Sequence, residues 1–304
     1  MKQYYNYSPE LPKTLTFGNL NFESPLIWPG LLAYRALAHA GMKKMKAPHF
    51  SMGAFDCYCV EPENRDVLPA ILYLHGGGFL FPLQSMMIQN ARYYAEKLNC
   101  RVFLPEYRIA PEHPFPAPFE DCLASYDYLL KHSSDLRIDP KRIILMGDSA
   151  GGALAAAVCQ KVRDEGLPMP ILQMLFYPVT DKSMSHRSMD EYAMGSWSKT
   201  ANRHMWNMYL KNGDHGQLRF AAPLQSDNFA DLPDSYVEVC EMDCLRDEGI
   251  AYAEKMKEAG VMVELHQVDR AYHGYDGHFE SPLTQRELAR RAAFMRGYLM
   301  GESV

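Results

Sequence analysis

The sequence predicts an α/β fold in which a mostly parallel central sheet carries helices on both faces. From about residue 70, short apolar runs alternate with longer segments of helical periodicity, and the apolar runs are nearly continuous. Continuous apolar runs are typical of strands that are covered on both faces. A regular alternation of strand and helix indicates parallel strands joined by crossover helices. The predicted strands are 70–74, 101–106, 142–146, 171–177, 236–241 and 261–268.

The segments between these strands carry apolar residues at helical spacing. In the first of them, Ile88, Ala91, Ala95 and Leu98 form one apolar stripe. Gly260 directly follows a later segment, as expected for a residue that ends a helix. The predicted helices are 87–98, 119–130, 153–163, 250–259 and 286–299.

Two segments interrupt the alternation of strands and helices. Residues 1–45 precede any pair of predicted strands, and residues 181–222 form an insertion far longer than an ordinary connection. Both segments are helix-prone and rich in Met or aromatic residues. We predict that they form one helical cap over the carboxyl edge of the sheet. The sheet and its helices then form a core from residues 46–180 and 223–304, in one compact unit.

The composition is that of a globular protein, and it excludes several classes of partner. Of the 304 residues, 47% are apolar and 22% are charged, which excludes a disordered chain. The net charge is −6 and the only dense basic run is 43–46, so we expect no nucleic-acid partner.

The seven cysteines cannot all pair, and we interpret them as reduced thiols. Residues 1–9 lack the apolar run of a signal peptide, and no apolar run reaches the roughly 20 residues that cross a bilayer. We therefore expect a cytoplasmic protein with no membrane partner.

The strongest chemical signal is the run Gly-Asp-Ser-Ala-Gly-Gly at 147–152. It follows a predicted strand and opens a predicted helix, which is the context of a nucleophile elbow. The turn is so sharp that the residues two before and two after Ser149 must be glycine. A glycine-rich turn without chemistry is the alternative interpretation, whereas a phosphate-binding loop would need a Lys that is absent here. We predict that Ser149 is a nucleophile.

A second glycine-rich run, His-Gly-Gly-Gly-Phe at 75–79, directly follows another predicted strand. A serine nucleophile creates a tetrahedral intermediate whose oxyanion needs preorganised hydrogen-bond donors. Glycines let backbone N–H groups approach such an oxygen closely. We predict that Gly76 and Gly77 are two of the donors and that Ala150 provides the third. Taken alone, this run also fits a turn that His75 merely braces.

A serine nucleophile also needs an acid and a histidine, which follow it in the order serine, acid, histidine in this type of fold. Asp243 directly follows the predicted strand 236–241, and it is our candidate for the acid. Asp247 and Glu248 follow closely, and an acidic helix start is the alternative interpretation of this region.

His273 lies in the loop after the last predicted strand and beside Gly274, and it is our candidate for the base. His266 lies inside that strand and is interpreted as a structural histidine. His278 follows five residues after His273 and remains an alternative base. No histidine pair at helical spacing indicates a metal site.

Five motifs of this chain, in this order, resemble those of the hormone-sensitive-lipase-like branch of the α/β-hydrolases, the bacterial family IV esterases. The resemblance covers the chain from about residue 60 to its end. The family usually has Pro where Cys244 stands and Phe where Tyr275 stands, and both departures bear on the shape of the pocket. The motifs are His75-Gly-Gly-Gly-Phe79, Tyr107-Arg-Ile-Ala-Pro-Glu-His-Pro-Phe-Pro-Ala117, Gly147-Asp-Ser-Ala-Gly-Gly152, Asp243-Cys-Leu-Arg-Asp-Glu248 and His273-Gly-Tyr275.

The resemblance implies an α/β-hydrolase fold and a serine carboxylesterase that acts on a small-molecule ester without a metal or an organic cofactor. The resemblance is also compatible with a homodimer. We expect a short acyl chain of about two to eight carbons, held in an apolar pocket. Two alternatives stay open: an amidase or formamidase that uses the same residues, and a small-molecule receptor, which in this family has lost part of its triad. Ser149, Asp243 and His273 are all present in this chain.

Overall fold

A single sheet of eight strands organises the part of the chain that the computed structural model describes, which is residues 5–12, 28–45, 47–64 and 66–300. All six strands predicted from the sequence are present within a few residues of the predicted bounds. In chain order the strands are β1 (His49–Ser51), β2 (Asp56–Val60), β3 (Leu68–Leu74), β4 (Arg101–Pro105), β5 (Ile138–Asp148), β6 (Leu172–Phe176), β7 (Ser235–Cys240) and β8 (Val263–Val268).

The order across the sheet is β1-β2-β4-β3-β5-β6-β7-β8. All neighbours from β4 to β8 are parallel, whereas β1 and β2 add an antiparallel edge. This confirms the predicted α/β fold with a mostly parallel sheet. The carboxyl ends of β3, β5, β6, β7 and β8 meet at one edge, where ligands bind in folds of this kind.

The five predicted helices are also present, each extended by a few residues at one end or both. The described helices are α1 (Trp28–Met45), α2 (Ser85–Leu98), α3 (Ala117–Lys131), α4 (Ala150–Asp164), α5 (Ser188–Glu191), α6 (Lys199–Tyr209), α7 (Leu218–Ala221), α8 (Arg246–Glu258) and α9 (Pro282–Met300). The five that were predicted are α2, α3, α4, α8 and α9.

The sheet divides the hydrophobic core into two layers, one on each face. In β3, Ala70, Leu72 and Leu74 belong to one layer, and Ile71 and Tyr73 belong to the other. Successive side chains of a strand point to opposite faces, so a strand that is buried on both faces is apolar throughout. Helices α3, α4 and α8 pack on the first face, and α2 and α9 pack on the second.

The two segments predicted as a cap differ in their structure. The insertion 181–222 contains the three helices α5, α6 and α7, as predicted. Of the first segment, α1 is helical, residues 5–12 form a turn and coil, and residues 1–4 and 13–27 lie outside the described residues. The ring of Tyr5 lies 5.3 Å from that of Tyr192, which brings the two segments into contact. Their grouping into one cap remains a prediction.

Two further expectations concern disulfides and membranes. All seven cysteines lie in the described ranges, and all seven are free thiols. None of the helices described here combines the length and apolar character that crossing a bilayer requires.

Candidate active site

Ser149 occupies the sharp turn between β5 and α4. Its backbone has φ 54° and ψ −119°, a conformation that residues other than glycine rarely adopt. The turn brings Gly147 into contact with Gly151. A Cβ on Gly147 would lie only 2.1 Å from the Gly151 carbonyl oxygen, so no larger residue fits at this position. The Ser149 N–H donates to the Phe176 carbonyl at 2.8 Å and ties the turn to the end of β6. Ser149 therefore lies at the carboxyl edge of the sheet.

The loop at 75–78, which leaves the end of β3, lies beside this turn. Its glycines are required by conformation, since Gly77 and Gly78 have φ angles of 115° and 57°. The ring of His75 stacks on that of Tyr107 with 4.1 Å between centroids, and the Tyr107 hydroxyl donates to the His75 carbonyl at 2.5 Å. Burial lowers the pKa of His75 to about 4, so its ring is neutral near pH 7. His75 thus braces the loop from within the core.

The predicted donors Gly76 and Gly77 lie on different sides of this loop. Gly76 lies against the Asp148 side chain, since a Cβ on Gly76 would lie 2.2 Å from Asp148 Oδ2. Gly77 and Gly78, by contrast, line the same cavity as Ser149. The position of Gly76 therefore disfavours it as a donor to a bound oxyanion, and Gly78, which the motif alone does not single out, is better placed.

The third predicted donor, Ala150, is the first residue of α4 and is fully buried. The first N–H groups of a helix have no partner within the helix, and the helix dipole makes this end partially positive. The Ala150 N–H thus belongs to the end of α4 that favours negative charge, directly after Ser149.

The three residues predicted as a triad lie within hydrogen-bond distance of one another. His273 Nε2 is 2.8 Å from Ser149 Oγ, and His273 Nδ1 is 2.7 Å from Asp243 Oδ2. The Asp243 side chain is fully buried, and its Oδ1 accepts the Leu245 N–H at 3.1 Å. The Ser196 hydroxyl donates to the His273 carbonyl at 2.9 Å and holds the loop in place. The arrangement allows a proton to pass from the serine to the imidazole while the carboxylate orients the ring.

The acids that competed with Asp243 in the sequence have other partners. Asp247 Oδ2 accepts the Ser188 N–H at 2.8 Å, and Asp247 also forms an ion pair with Arg246. Glu248 Oε1 accepts the Thr180 N–H at 2.7 Å within the core. Both therefore stabilise the start of α8 and its contacts with the insertion, away from His273.

Neither competing histidine forms a hydrogen bond with Ser149 in the described structure. His266 lies on β8 and pairs with Glu287 at 2.9 Å, as expected for a structural histidine. His278 lines the cavity, and burial lowers its pKa. His273 is the histidine whose Nε2 lies within hydrogen-bond distance of Ser149 Oγ.

A cavity of about 180 Å³ lies over Ser149 and His273. Both predicted cap segments contribute to its wall, since Tyr34 belongs to α1 and Trp197 belongs to the insertion. Tyr177, at the end of β6, was not selected from the sequence, although it follows a strand at the same edge as the other site residues. The wall is mostly apolar by area. Its remaining members are Phe81, Met86, Met87, Tyr272 and Gly274, together with four polar side chains, Gln84, Asp148, Ser196 and His278.

No group of three or more His, Cys, Asp or Glu side chains in the described ranges has the arrangement of a metal site. The side chains that meet at Ser149 are those of acid–base and nucleophilic chemistry.

Comparison with known proteins assigns this chain to a family. A family described as having the alpha/beta hydrolase fold matches residues 71–277. The chain therefore belongs to the α/β-hydrolase family, which confirms the resemblance carried by its motifs.

Two relatives of this chain are named as esterases. Esterase LipI from Mycobacterium tuberculosis is 37% identical over 220 residues, covering 69% of this chain and 66% of the relative. Carboxylesterase NlhH from the same species is 34% identical over 221 residues, covering 70% and 68%. The chain thus spans about two thirds of the length of these relatives. They place it among the esterases of the family.

Two further comparisons extend this result. The solved structure of a bacterial heroin esterase matches with a TM-score of 0.80 and 31% identity, covering 90% of this chain and 92% of the other. Arylacetamide deacetylase from Bos taurus is 29% identical over 281 residues, covering 71% and 70%. The fold is therefore shared along nearly the whole chain.

Proposed function

We propose that this chain is a serine carboxylesterase that hydrolyses short-chain carboxylic esters through an acyl-enzyme on Ser149. The observation that carries the proposal is the unbroken series of hydrogen bonds from Ser149 Oγ through His273 to Asp243, at 2.8 and 2.7 Å, at the wall of a mostly apolar cavity. The esterase relatives support the same chemistry.

In the acylation step, His273 Nε2 accepts the proton of Ser149 Oγ while that oxygen attacks the ester carbonyl carbon. The carbonyl oxygen becomes an oxyanion, which we place against the N–H groups of Gly77, Gly78 and Ala150. Preorganised donors of this kind stabilise charge that develops only in the transition state, and the loss of one typically lowers kcat by about 10²- to 10³-fold. The imidazolium then protonates the leaving alcohol, and the acyl group stays on Ser149.

In the deacylation step, water takes the place of the alcohol. His273 accepts a proton from the water, the resulting hydroxide attacks the acyl carbonyl, and the proton returns to Ser149 as the acid leaves. Asp243 accepts a hydrogen bond from the Nδ1–H of His273 throughout, which holds the tautomer with a free Nε2 and stabilises the imidazolium. Both steps use groups that the chain itself provides.

The size of the cavity supports a small acyl group. An engineered apolar cavity of about 150 Å³ in another protein holds benzene, so about 180 Å³ accommodates a group of roughly six to eight carbon atoms. The Met side chains in the wall adapt to different shapes, which supports tolerance of several acyl groups.

An amidase is the second candidate, and one comparison favours it specifically. The name of arylacetamide deacetylase indicates that this relative removes an acyl group from an amide. An amide requires a better proton donor for its leaving nitrogen, but it uses the same nucleophile, base and oxyanion donors. A homodimer and a cytoplasmic location remain predictions from the sequence.

One set of substrates tests the proposal and separates it from the alternative. We expect kcat/KM for 4-nitrophenyl esters, from acetate to dodecanoate, to be highest between two and eight acyl carbons. We expect 4-nitroacetanilide, the amide matched to the acetate, to react far more slowly. A maximum at twelve carbons, or a jump in rate when the substrate forms an emulsion, would contradict the short-chain proposal. Faster hydrolysis of the amide would favour an amidase, and no hydrolysis of either would favour a receptor.

A further inference from the structure

Arg291 on α9 is a buried charge that the triad mechanism does not use. Its side chain is only 1% exposed, and its guanidinium packs over the ring of Phe176, the last residue of β6. The guanidinium donates to both carboxylate oxygens of Glu238, at 2.6 and 2.9 Å, and to Asp276 Oδ2 at 2.7 Å. A buried charge is strongly destabilising unless it is fully paired, so this arrangement fixes all three side chains.

The two carboxylates that Arg291 binds belong to the two segments that deliver His273 and its acid. Glu238 lies on β7, the strand that leads to Asp243. Asp276 lies in the short 3₁₀ turn that directly follows the His273 loop. Arg291 therefore connects the segment of the acid with the segment of the base.

A third side chain extends this connection to the imidazole itself. The Tyr177 hydroxyl donates to Asp276 Oδ1, and burial raises the pKa of Tyr177 well above its ordinary value, so it stays a donor. The Tyr177 ring lies edge-on to His273, with 4.8 Å between ring centroids and an angle of 67°. Its backbone N–H donates to the Glu238 carbonyl at 2.6 Å, although φ of 37° is unusual for so large a residue. Tyr177 is thus fixed at both its backbone and its hydroxyl.

We propose that Arg291, Asp276 and Tyr177 form a positioning relay that holds the His273 ring between Ser149 and Asp243. Arg291 fixes Asp276, Asp276 fixes the Tyr177 hydroxyl, and the Tyr177 ring restricts rotation of the imidazole. The relay rests on the proposed function, since it acts only if His273 is the base.

The relay supplies a restraint that the hydrogen bonds of His273 lack. The contact with Asp243 fixes Nδ1, but it leaves the ring free to tilt about that bond. A displacement of about 1 Å from the reactive geometry can lower the rate by about 10²-fold. An aromatic ring against the imidazole limits this tilt without adding a charge.

The first test removes only the Tyr177 hydroxyl. We expect Tyr177→Phe to lower kcat for 4-nitrophenyl acetate by about 10- to 100-fold, with KM within about threefold of its original value. Tyr236→Phe is the matched control, because the buried Tyr236 hydroxyl on β7 has no hydrogen-bond partner within the described residues. We expect that variant to keep its kcat. An unchanged kcat in a folded Tyr177→Phe protein would overturn the proposal.

A second readout is independent of activity. The His273 Nδ1 proton, hydrogen-bonded to Asp243, is expected to give a low-field proton NMR resonance. In Tyr177→Phe, this resonance should broaden or vanish because the ring moves, whereas Tyr236→Phe should retain it. A sharp, unshifted resonance in Tyr177→Phe would contradict a role in positioning, even if kcat falls.

The third test asks whether Asp276 acts through Tyr177. We expect Asp276→Ala to lower kcat, and the double variant with Tyr177→Phe to lose little more than the larger single effect, because both changes break one relay. Additive losses of kcat would overturn the relay.

If Asp276→Ala does not fold, the kcat and NMR results for Tyr177→Phe still decide the proposal. If the unmodified protein hydrolyses no ester, the proposed function fails, whereas normal turnover in Tyr177→Phe rejects the relay alone.

Discussion

Gly151, in the first turn of α4, lies directly against the carbonyl oxygen of Leu74 at the end of β3. A Cβ built on Gly151 would lie 2.0 Å from that oxygen and 2.6 Å from the His75 carbonyl oxygen. The turn that carries Ser149 and the loop that carries Gly77 are therefore in backbone contact. This contact fixes the distance between the proposed nucleophile and the proposed oxyanion donors.

We expect Gly151→Ala to damage both stability and activity. Overpacking of this kind typically lowers the free energy of unfolding by about 1–3 kcal/mol, and the backbone atoms at this site have little freedom to move. Thermal unfolding and kcat/KM should both fall. Gly30→Ala is the control, since Gly30 lies in α1 with nothing within 4 Å of a new Cβ. Normal stability and activity in Gly151→Ala would show that the contact is unimportant.

Asp243 should be separable from its acidic neighbours by mutation. We expect Asp243→Asn to lower kcat by about 10⁴-fold, because an amide at this position favours the wrong tautomer of His273. Asp247→Asn and Glu248→Gln should have far smaller effects on kcat, since their carboxylates bind backbone N–H groups around α8. Steady-state kinetics on the three variants decides the assignment. A larger loss in Asp247→Asn would mean that the acid is misassigned.

Asp148 should make stability depend on pH. Burial, together with the charge of Asp276, raises the pKa of Asp148 from 3.8 to about 7. The folded protein therefore holds this proton more tightly than the unfolded chain, so the contribution of Asp148 to stability falls as pH rises from about 4 to 7. Asp148→Asn cannot ionise, and it should escape this loss.

Urea unfolding from pH 5 to pH 8 tests this prediction. The free energy of unfolding of Asp148→Asn, relative to the unmodified protein, should increase by up to about 1.4 kcal/mol per pH unit up to pH 7 and then level off. Asp139→Asn is the control: a hydrogen bond from Arg142 lowers the pKa of Asp139, so it is ionised throughout this range in both states. A pH-independent difference for Asp148→Asn would contradict the prediction.

The parallel part of the fold is readable from the sequence because its strands are buried on both faces. The run 101–106 is apolar enough to predict β4, which the structure places at Arg101–Pro105. The strands β1 and β2 cannot be predicted in this way, since they form an antiparallel edge with exposed residues such as Asp56. Residues 5–12 belong to a segment that the sequence predicts to be helix-prone, but the structure shows a turn and coil there. Pro9 and Pro12 lack the N–H donors that a helix needs. The backbone instead runs beside the segment that leads to the His273 loop, where the Ser8 N–H donates to the Arg270 carbonyl.

Residues of the candidate site could be predicted where they directly follow a strand. They could not be predicted where their role depends on the orientation of a backbone N–H group or a side chain. Ser149, Asp243 and His273 each follow a strand that ends at the same edge of the sheet. Gly76 and Gly78 belong to the same glycine run, and only the folded backbone shows that Gly78 lines the cavity and Gly76 does not. The proposed role of Arg291 cannot be predicted from the sequence, because it depends on tertiary contacts. In the sequence alone, an arginine on a helix that also carries exposed charges resembles a surface residue.

The measurement that tests the central claim most directly is covalent labelling of Ser149. Diethyl 4-nitrophenyl phosphate should phosphorylate Ser149 Oγ with release of one 4-nitrophenolate per chain, and peptide mass mapping should locate the label. Ser149→Ala should keep its fold, take no label and lose about 10⁴- to 10⁶-fold in kcat for 4-nitrophenyl acetate. A label on another residue, or near-normal turnover in folded Ser149→Ala, would contradict the assignment of Ser149 as the nucleophile.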